Sequence, residues 1–280
     1  MPRSAPPIKC ALTIAGSDGS GGAGIQADLK TYHALGVYGL SAITAVTVQN
    51  TQKVYAVQPI DPQIVHDQIV CLFDDIPVAA VKIGMIPNTE VMEAVALALK
   101  KVQAPPVVLD PVMISTSGHD LLKPAGRQAL VTQLFPLAGV VTPNIQEAEA
   151  LLGTVITTMA HMEQAAKKIC RLGAARVVVK GGHLAGDLAV DLLYDGRTFH
   201  HLSAPRLDTP HTHGTGCTFS AAIAAFSASG EHLHEAVRHA KHYITGAIAH
   251  ALGIGRGRGP THHFYDLYAR AGRHYLHRKP

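Results

Sequence analysis

Short apolar segments alternate with amphipathic helical segments along most of this 280-residue chain. Segments such as 78–83, 106–109 and 176–179 are short and mostly apolar, which is typical of strands buried on both faces of a parallel sheet. A helical pattern follows most of these runs, so each pair of strands has a crossover helix between them. The alternation predicts one doubly wound α/β domain that spans residues 1–280.

The composition narrows the class of protein. With 47% hydrophobic and 16% charged residues, the chain has enough apolar material for a large core and does not resemble a disordered protein. Its lysines and arginines are scattered, which argues against a nucleic-acid interface. Four cysteines without paired spacing, no signal-peptide pattern and no apolar run of about 18 residues predict a reduced, cytoplasmic protein with no membrane partner. The 18 histidines lack the spacing of a closed zinc site, so we expect most of them at the surface.

The turn formed by Gly214, Thr215 and Gly216 precedes a helix rich in small residues. Backbone N–H groups at a helix N-terminus lack intrahelical partners, and the glycines let them converge, so the turn is suited to a phosphate or a phosphoryl group. Cys217 begins the same helix, a position that lowers the pKa of a thiol and favours the thiolate. The alternative is structural, because glycine is common before helices and cysteine often acts as a small buried hydrophobe.

A second glycine-rich segment, residues 16–24, follows a predicted first strand at 9–15 and precedes a helix. We predict an irregular loop here, in the strand–turn–helix setting of a phosphate or small-ligand site. The segment lacks the Gly-Lys-Ser/Thr of a P-loop and fits GxGxxG only loosely, which disfavours a dinucleotide oxidoreductase. On the helix that follows, Asp28 faces either a ligand or solvent.

Polar residues stand where several predicted strands end. Gln49, Asp110 and Lys180 each follow an apolar run, and open α/β sheets bind ligands beyond the carboxyl ends of their strands. Lys180 is followed by two glycines, which suits a side chain that reaches a phosphate. Glu147 either complements the dipole of its helix or supports Mg²⁺ through water together with Asp110. A hairpin at 188–202 with an Asp-Gly turn predicts antiparallel strands at one edge of the sheet.

Taken together, these motifs resemble the ribokinase-like superfamily, and more closely the hydroxymethylpyrimidine and phosphomethylpyrimidine kinases of thiamine biosynthesis. They occur in the order expected for that family, over about residues 8–260. The matching segments are 11–18, 20–30, 44–51, 82–85, 108–113, 142–144 with Glu147, 180–183 and 213–218.

The resemblance implies a three-layer α/β/α sandwich, with a mostly parallel central sheet and antiparallel edge strands. It also implies a homodimer that uses ATP and Mg²⁺ to phosphorylate 4-amino-5-hydroxymethyl-2-methylpyrimidine, and then its monophosphate, to the pyrophosphate. In this scheme the pyrimidine is contacted by Gln49 and Met85, and surrounded by Gly16, Ala23, Asp28 and Val112. The groups that serve Mg²⁺ and the ATP phosphates are Asp110, Asn144, Glu147 and Lys180. Cys217 replaces the aspartate base of most of the superfamily, and Gly214, Thr215 and Gly216 supply amides to the phosphoryl group.

Two segments depart from the family pattern. The C-terminal loop reads Gly-Pro-Thr-His-His at 259–263, where Pro-Val-Asn-His is expected, and His211 is an added histidine before the turn. The alternatives are a pyridoxal or pyridoxine kinase of the same superfamily, and a module that senses the pyrimidine without turnover. The Gln49/Met85 pair favours the pyrimidine, and an intact set of phosphate-site residues argues against a sensor.

Overall fold

A computed structural model describes residues 8–113, 122, 124–182, 184 and 186–273, and the predicted loop at 115–118 lies outside them. The described strands form one nine-stranded sheet in the order β3-β2-β1-β4-β5-β6-β7-β8-β9. The strands are β1 Cys10–Asp18, β2 Tyr38–Gln49, β3 Val54–Pro59, β4 Val78–Ile83, β5 Val107–Leu109, β6 Val140–Val141, β7 Val177–Val179, β8 Leu188–Tyr194 and β9 Phe199–Pro205. Across the sheet from β2 through β1, β4, β5 and β6 to β7, each neighbouring pair of strands is parallel. At the edges, β3 pairs antiparallel with β2, β8 with β7, and β9 with β8, as predicted.

Helices cover both faces of this sheet. They are α1 Gly24–Ala34, α2 Pro62–Asp75, α3 Thr89–Lys101, α4 Pro124–Ala129, α5 Ile145–Leu152, α6 Met159–Arg171, α7 Thr215–Ala228, α8 Leu233–Ala249 and α9 Tyr265–Arg270. The sequence fits these boundaries locally, because Asp61 and Asn88 cap α2 and α3 with their side chains and Pro62 is the first residue of α2.

The apolar core lies in two layers, one on each face of the sheet. One layer packs α1, α7 and α8 against strand residues such as Ala80 and Val108, and the other packs α2 to α6 against their neighbours Val81 and Leu109. Successive strand residues point to opposite faces, so the continuous apolar runs of the sequence supply both layers at once. The predicted α/β/α sandwich is confirmed. Within the described residues, no helix is long and apolar enough to cross a bilayer.

One local prediction is wrong. β1 does not end before the glycine-rich segment but continues to Asp18, because Ser17 and Asp18 pair with Val46 and Thr47 of β2 beyond a bulge. Near the C-terminus, Thr261, His262 and His263 are buried next to α7 and α8, so these two histidines are exceptions to the surface position expected for most histidines.

Candidate active site

The parallel strands bring the predicted polar residues to one edge of the sheet. Gln49 is the last residue of β2, Asp110 follows β5, and Lys180 follows β7. Met85 lies just beyond β4, and Asn144 follows β6. Because all of these strands run in the same direction, residues separated by more than 130 positions in sequence share one cleft edge.

At one end of this edge, Lys180 lies between two acidic side chains. Its Nζ is 2.7 Å from Asp110 Oδ1 and 3.9 Å from Glu147 Oε2. Hydroxyl groups support Asp110, with Thr142 Oγ1 at 3.2 Å and Ser220 Oγ at 3.4 Å from its carboxylate oxygens. Burial alone would lower the pKa of Lys180, but the two carboxylates outweigh burial and raise it. Lys180 is therefore a fixed positive charge within the cleft.

Glu147 has the structural role that the sequence offered as one alternative, and its role in Mg²⁺ binding stays a prediction. It forms a capping box with Asn144: Asn144 N donates to Glu147 Oε2 at 2.8 Å, and Glu147 N donates to Asn144 Oδ1 at 2.8 Å. Burial raises the pKa of the Glu147 carboxyl to about 7, although Lys180 opposes the shift. Its carboxylate still lies beside Lys180 and faces the same cleft as Asp110. No group of three His, Cys, Asp or Glu side chains in the described residues is placed to hold a metal ion, so these two carboxylates would need water or phosphate oxygens to complete a Mg²⁺ site.

The Gly214–Gly216 turn is held against the glycine-rich loop. Gly214 has a φ of +77°, and a Cβ at this residue would lie 1.7 Å from the carbonyl oxygen of Gly22. Thr215 N–H donates to the carbonyl of Thr212, so this amide is already used. In the part of the chain that the structure describes, the N–H groups of Gly216 and Cys217 donate to no other group. The predicted anion turn therefore offers chiefly these two amides.

Gly216 connects the turn to the charged end of the cleft. A Cβ at Gly216 would lie 3.3 Å from Lys180 Nζ and 3.4 Å from Asp110 Oδ2. The turn, the ammonium and the carboxylate thus surround one small volume. This is the arrangement expected where a phosphoryl group passes between a nucleotide and an acceptor.

The predicted thiolate at Cys217 is wrong for the free protein. Burial raises the pKa of the Cys217 thiol to about 11, and Asp28 and Asp110 add to this shift. Lys82 and the N–H of Gly24 oppose the shift without cancelling it. The helix N-terminus therefore does not compensate for burial next to two carboxylates, and the side chain is a neutral thiol at physiological pH.

At the other end of the cleft, Met85 packs against the backbone of the glycine-rich loop. A Cβ at Gly16 would lie 3.1 Å from Met85 Cε, and Thr44 Oγ1 donates to the Met85 carbonyl at 2.7 Å. Gln49 is half-buried, and its Nε2 lies 3.5 Å from His213 Nε2. Ala23 is half-buried, and its N–H donates to Asp18. Val112 is half-buried beside Asp110, whose carbonyl accepts from Val112 N. Their contacts with a pyrimidine stay a prediction.

Asp18 and His213, which have no predicted role, connect the glycine-rich loop to the Gly214–Gly216 turn. Asp18 Oδ2 lies 2.8 Å from His213 Nε2, so the end of β1 is joined to the residue before the turn. Burial alone would raise the pKa of Asp18, but hydrogen bonds from His213 and Ser20 lower it to about 2. Both residues lie inside segments that resemble the family, 11–18 and 213–218, and this resemblance was the sequence signal for a role in the site. Neither residue is recognisable from the sequence as a ligand-binding group.

Asp28 faces neither a ligand nor solvent, so both readings from the sequence are wrong. Its side chain is fully buried between α1 and the sheet, where it accepts from Thr13 Oγ1 at 2.6 Å and Lys82 Nζ at 2.7 Å. Asp28 therefore lies beneath the site and does not line it. Burial raises the pKa of Asp28 even though Lys82 opposes the shift.

We predict that Asp28→Asn and Lys82→Met each reduce stability by about 3–5 kcal/mol, because each leaves one buried charge without its counter-charge. The double variant should recover most of this loss, since it buries no charge. Urea unfolding of the four proteins measures the coupling. Additive losses in the double variant would show that the two side chains do not stabilise the fold as a pair.

His263 is buried next to the first turn of α7 and lies within hydrogen-bond distance of it. Its Nε2 lies 3.1 Å from Thr218 Oγ1, and Tyr243 Oη donates to its carbonyl at 2.8 Å. Burial and, to a smaller extent, the positive charges of Lys30 and His262 lower the pKa of His263 to about 3. The imidazole is therefore neutral in the folded protein at pH values where an unfolded histidine is protonated.

We predict that His263→Gln makes the protein less sensitive to acid. The folded-state pKa lies below the unfolded value of 6.5, so this group contributes stability above pH 6.5 that is lost as the pH falls towards 3. Between pH 7 and pH 4.5 the wild type should lose about 2–3 kcal/mol more than the variant. Urea unfolding at both pH values tests this, and parallel losses in the two proteins would contradict it.

Comparisons with known proteins agree with this geometry. The phosphomethylpyrimidine kinase family model matches residues 18–262. A hydroxymethylpyrimidine/phosphomethylpyrimidine kinase from Rhizobium meliloti is 53% identical over 258 residues, which cover 91% of this chain and 97% of that protein. A bifunctional thiamine biosynthesis protein from Geobacter sulfurreducens is 48% identical over 93% of this chain, which spans only 54% of that longer protein. An ADP complex of Bacillus subtilis pyridoxal kinase has a TM-score of 0.86 and 45% identity, over 92% of this chain and 98% of that one.

These findings confirm two expectations from the sequence. The structural likeness to a pyridoxal kinase confirms the ribokinase-like architecture, with its mostly parallel sheet between two helical layers. The kinase relatives confirm that the protein is a phosphotransferase. The family model covers most of the chain, and the Rhizobium relative matches it over nearly its whole length. The chain therefore belongs to the phosphomethylpyrimidine kinase family.

Proposed function

We propose that the protein uses ATP to phosphorylate the hydroxymethyl group of 4-amino-5-hydroxymethyl-2-methylpyrimidine, and then phosphorylates the resulting monophosphate to the pyrophosphate for thiamine biosynthesis. The observation that carries the proposal is the position of Gly216, which brings two free backbone amides against the Lys180–Asp110 pair. Met85 and Gln49 lie at the other end of the cleft, and the acceptor would be bound beside these two residues. Such a site has a donor side, an acceptor side and a volume for the transferred group between them.

Each group has a distinct part in the proposed reaction. Lys180 would neutralise phosphate charge, and the N–H groups of Gly216 and Cys217 would donate to the equatorial oxygens of the transferred phosphoryl group. Asp110 and Glu147, with Asn144 fixing the latter, would hold Mg²⁺ through water, and the ion would neutralise charge on the ATP phosphates. Phosphoryl transfer of this kind asks little of a general base, so a neutral Cys217 thiol is compatible with turnover.

A pyrimidine fits Gln49 because of complementary hydrogen bonding. An aminopyrimidine presents a ring nitrogen that accepts and a neighbouring amino group that donates, and a carboxamide offers the reverse pair. A pyridoxal ring presents a phenolic hydroxyl and lacks this amino group. The second candidate, phosphorylation of pyridoxal or pyridoxine, is favoured by the close structural likeness to a pyridoxal kinase.

A coupled assay of ADP release tests the proposal with Mg²⁺, ATP and three acceptors: the hydroxymethylpyrimidine, its monophosphate and pyridoxal. We expect kcat/KM to be highest for the two pyrimidines, and Gln49→Leu to reduce it for them more than for pyridoxal. A higher kcat/KM for pyridoxal would favour the second candidate. Binding of the pyrimidine without ADP release would favour the sensing module.

We further propose that residues 8–260 form one catalytic unit, since the site residues lie on a single sheet and on the helices and turns that follow its strands. By resemblance to the family, we also propose a homodimer that works in the cytoplasm. Light scattering coupled to size-exclusion chromatography measures the mass in solution, and a monomeric mass across a range of micromolar concentrations would contradict the dimer.

A further inference from the structure

A second buried ion pair lies beyond the Lys180 strand. Lys241 Nζ donates to Asp191 Oδ2 at 2.8 Å, and the side chains are only 11% and 8% exposed. The buried positions of α8 around Lys241 are otherwise apolar, including Val237, Ala240 and Ile244. Buried ion pairs add little stability compared with apolar residues of similar volume, so this pair calls for another explanation.

The carboxylate oxygen of Asp191 that does not contact Lys241 provides that explanation. Asp191 Oδ1 accepts from the backbone N–H of Gly181 at 2.9 Å, so the carboxylate bridges α8 and the residue directly after Lys180. Gly181 is pressed against β8, since a Cβ at this position would lie 1.9 Å from the carbonyl oxygen of Val190. Only glycine permits this approach, and the approach puts the amide within reach of Asp191.

The backbone of Lys180 is fixed from the other side as well. Its N–H donates to the carbonyl of Pro143 at 2.8 Å, and it forms a parallel bridge with Asn144. The backbone at Lys180 is therefore held between the segment that follows β6 on one side and Asp191 on the other. Both anchors determine where the ammonium meets Asp110.

We propose that Asp191 is a positioning residue for Lys180 because its carboxylate accepts from Gly181, and that Lys241 supplies the positive charge that allows this carboxylate to be buried. This inference rests on the proposed function, in which Lys180 binds the phosphates of ATP. Asp191 touches neither the nucleotide nor the acceptor, and it acts through the backbone at Gly181.

Two double variants separate this role from that of a structural ion pair. Asp191→Asn/Lys241→Met removes both charges but keeps a side-chain oxygen for Gly181, whereas Asp191→Leu/Lys241→Met removes the charges and the acceptor. We expect the Asn variant to keep kcat and ATP affinity within about threefold of wild type. We expect the Leu variant to lower both by about tenfold while the KM for the acceptor stays unchanged. Urea unfolding checks that both variants are folded.

Adding Lys180→Met to each of these two variants tests whether Asp191 affects kcat and ATP affinity through Lys180. If Asp191 acts through Lys180, the Leu variant should cost nothing further once Lys180 has been replaced. Equal kcat values for the Asn and Leu variants, or a full additional loss in the Lys180→Met background, would overturn the proposal. Affinity for ATP is measured by calorimetry without an acceptor, so this readout remains valid if the proposed pyrimidine is not the substrate.

Discussion

Gly216→Ala is expected to lower kcat by about 10²-fold without lowering the stability of the fold. The new Cβ would lie 3.3 Å from Lys180 Nζ and 3.4 Å from Asp110 Oδ2, so the methyl group would occupy part of the volume between the turn and these two groups and would displace the Lys180 ammonium slightly. A misplacement of about 1 Å can cost about 10²-fold in rate, and a phosphoryl group excluded from part of this volume would be misplaced relative to its hydrogen-bond donors. Gly216 lies within the first turn of α7 and its φ is not left-handed, so alanine is accepted by the backbone and favoured by helix propensity.

Cys217→Ala is the matched control, since it changes the neighbouring residue and keeps the same backbone amides. Because the thiol has a pKa of about 11 and is a poor base at neutral pH, we expect this variant to lose less than about tenfold in kcat. Thermal unfolding and kcat for the two variants form the test. Normal turnover by Gly216→Ala, or a larger loss in Cys217→Ala, would show that the thiol matters more than the amides.

Much of the fold could be predicted from local pattern. Apolar runs followed by polar residues identified strands whose ends meet at one edge of the sheet, and the turn at Gly214 marked the start of a helix. These signals are local because a strand buried on both faces and a capped helix each have their own composition. The extension of β1 to Asp18 was missed because it depends on pairing with Thr47, almost 30 positions away.

The site was harder to predict where charge and burial combine. Asp28 and Lys82 are 54 residues apart and Asp191 and Lys241 are 50 apart, so neither pair has a spacing that sequence reasoning could recognise. A lysine within the apolar run of β4 was the one available signal for the first pair. The pKa of Cys217 was mispredicted for the same reason, because the position on the helix is local but the burial is set by tertiary packing.

Lys180→Met is expected to lower kcat by about 10³-fold, close to the loss seen when a key charge-stabilising group is removed from a phosphoryl-transfer site. Methionine keeps much of the aliphatic length of lysine and removes only the charge and its hydrogen bonds. The KM for the acceptor should change little, since Lys180 lies at the charged end of the cleft and Met85 lies at the other. A steady-state assay that varies ATP and acceptor separately measures this split.

The same variant should bind divalent cations more tightly in the absence of nucleotide. In the free protein the Lys180 ammonium lies 2.7 Å from Asp110 and 3.9 Å from Glu147, so it competes for the carboxylates that would hold Mg²⁺. Removing this charge should raise the affinity for Mn²⁺, measured by electron paramagnetic resonance, by about tenfold. Asp110→Asn is the control and should weaken Mn²⁺ binding, because it removes a carboxylate. If Lys180→Met left Mn²⁺ affinity unchanged, the ammonium and the metal would not share these carboxylates, and the metal would have to be placed elsewhere in the cleft.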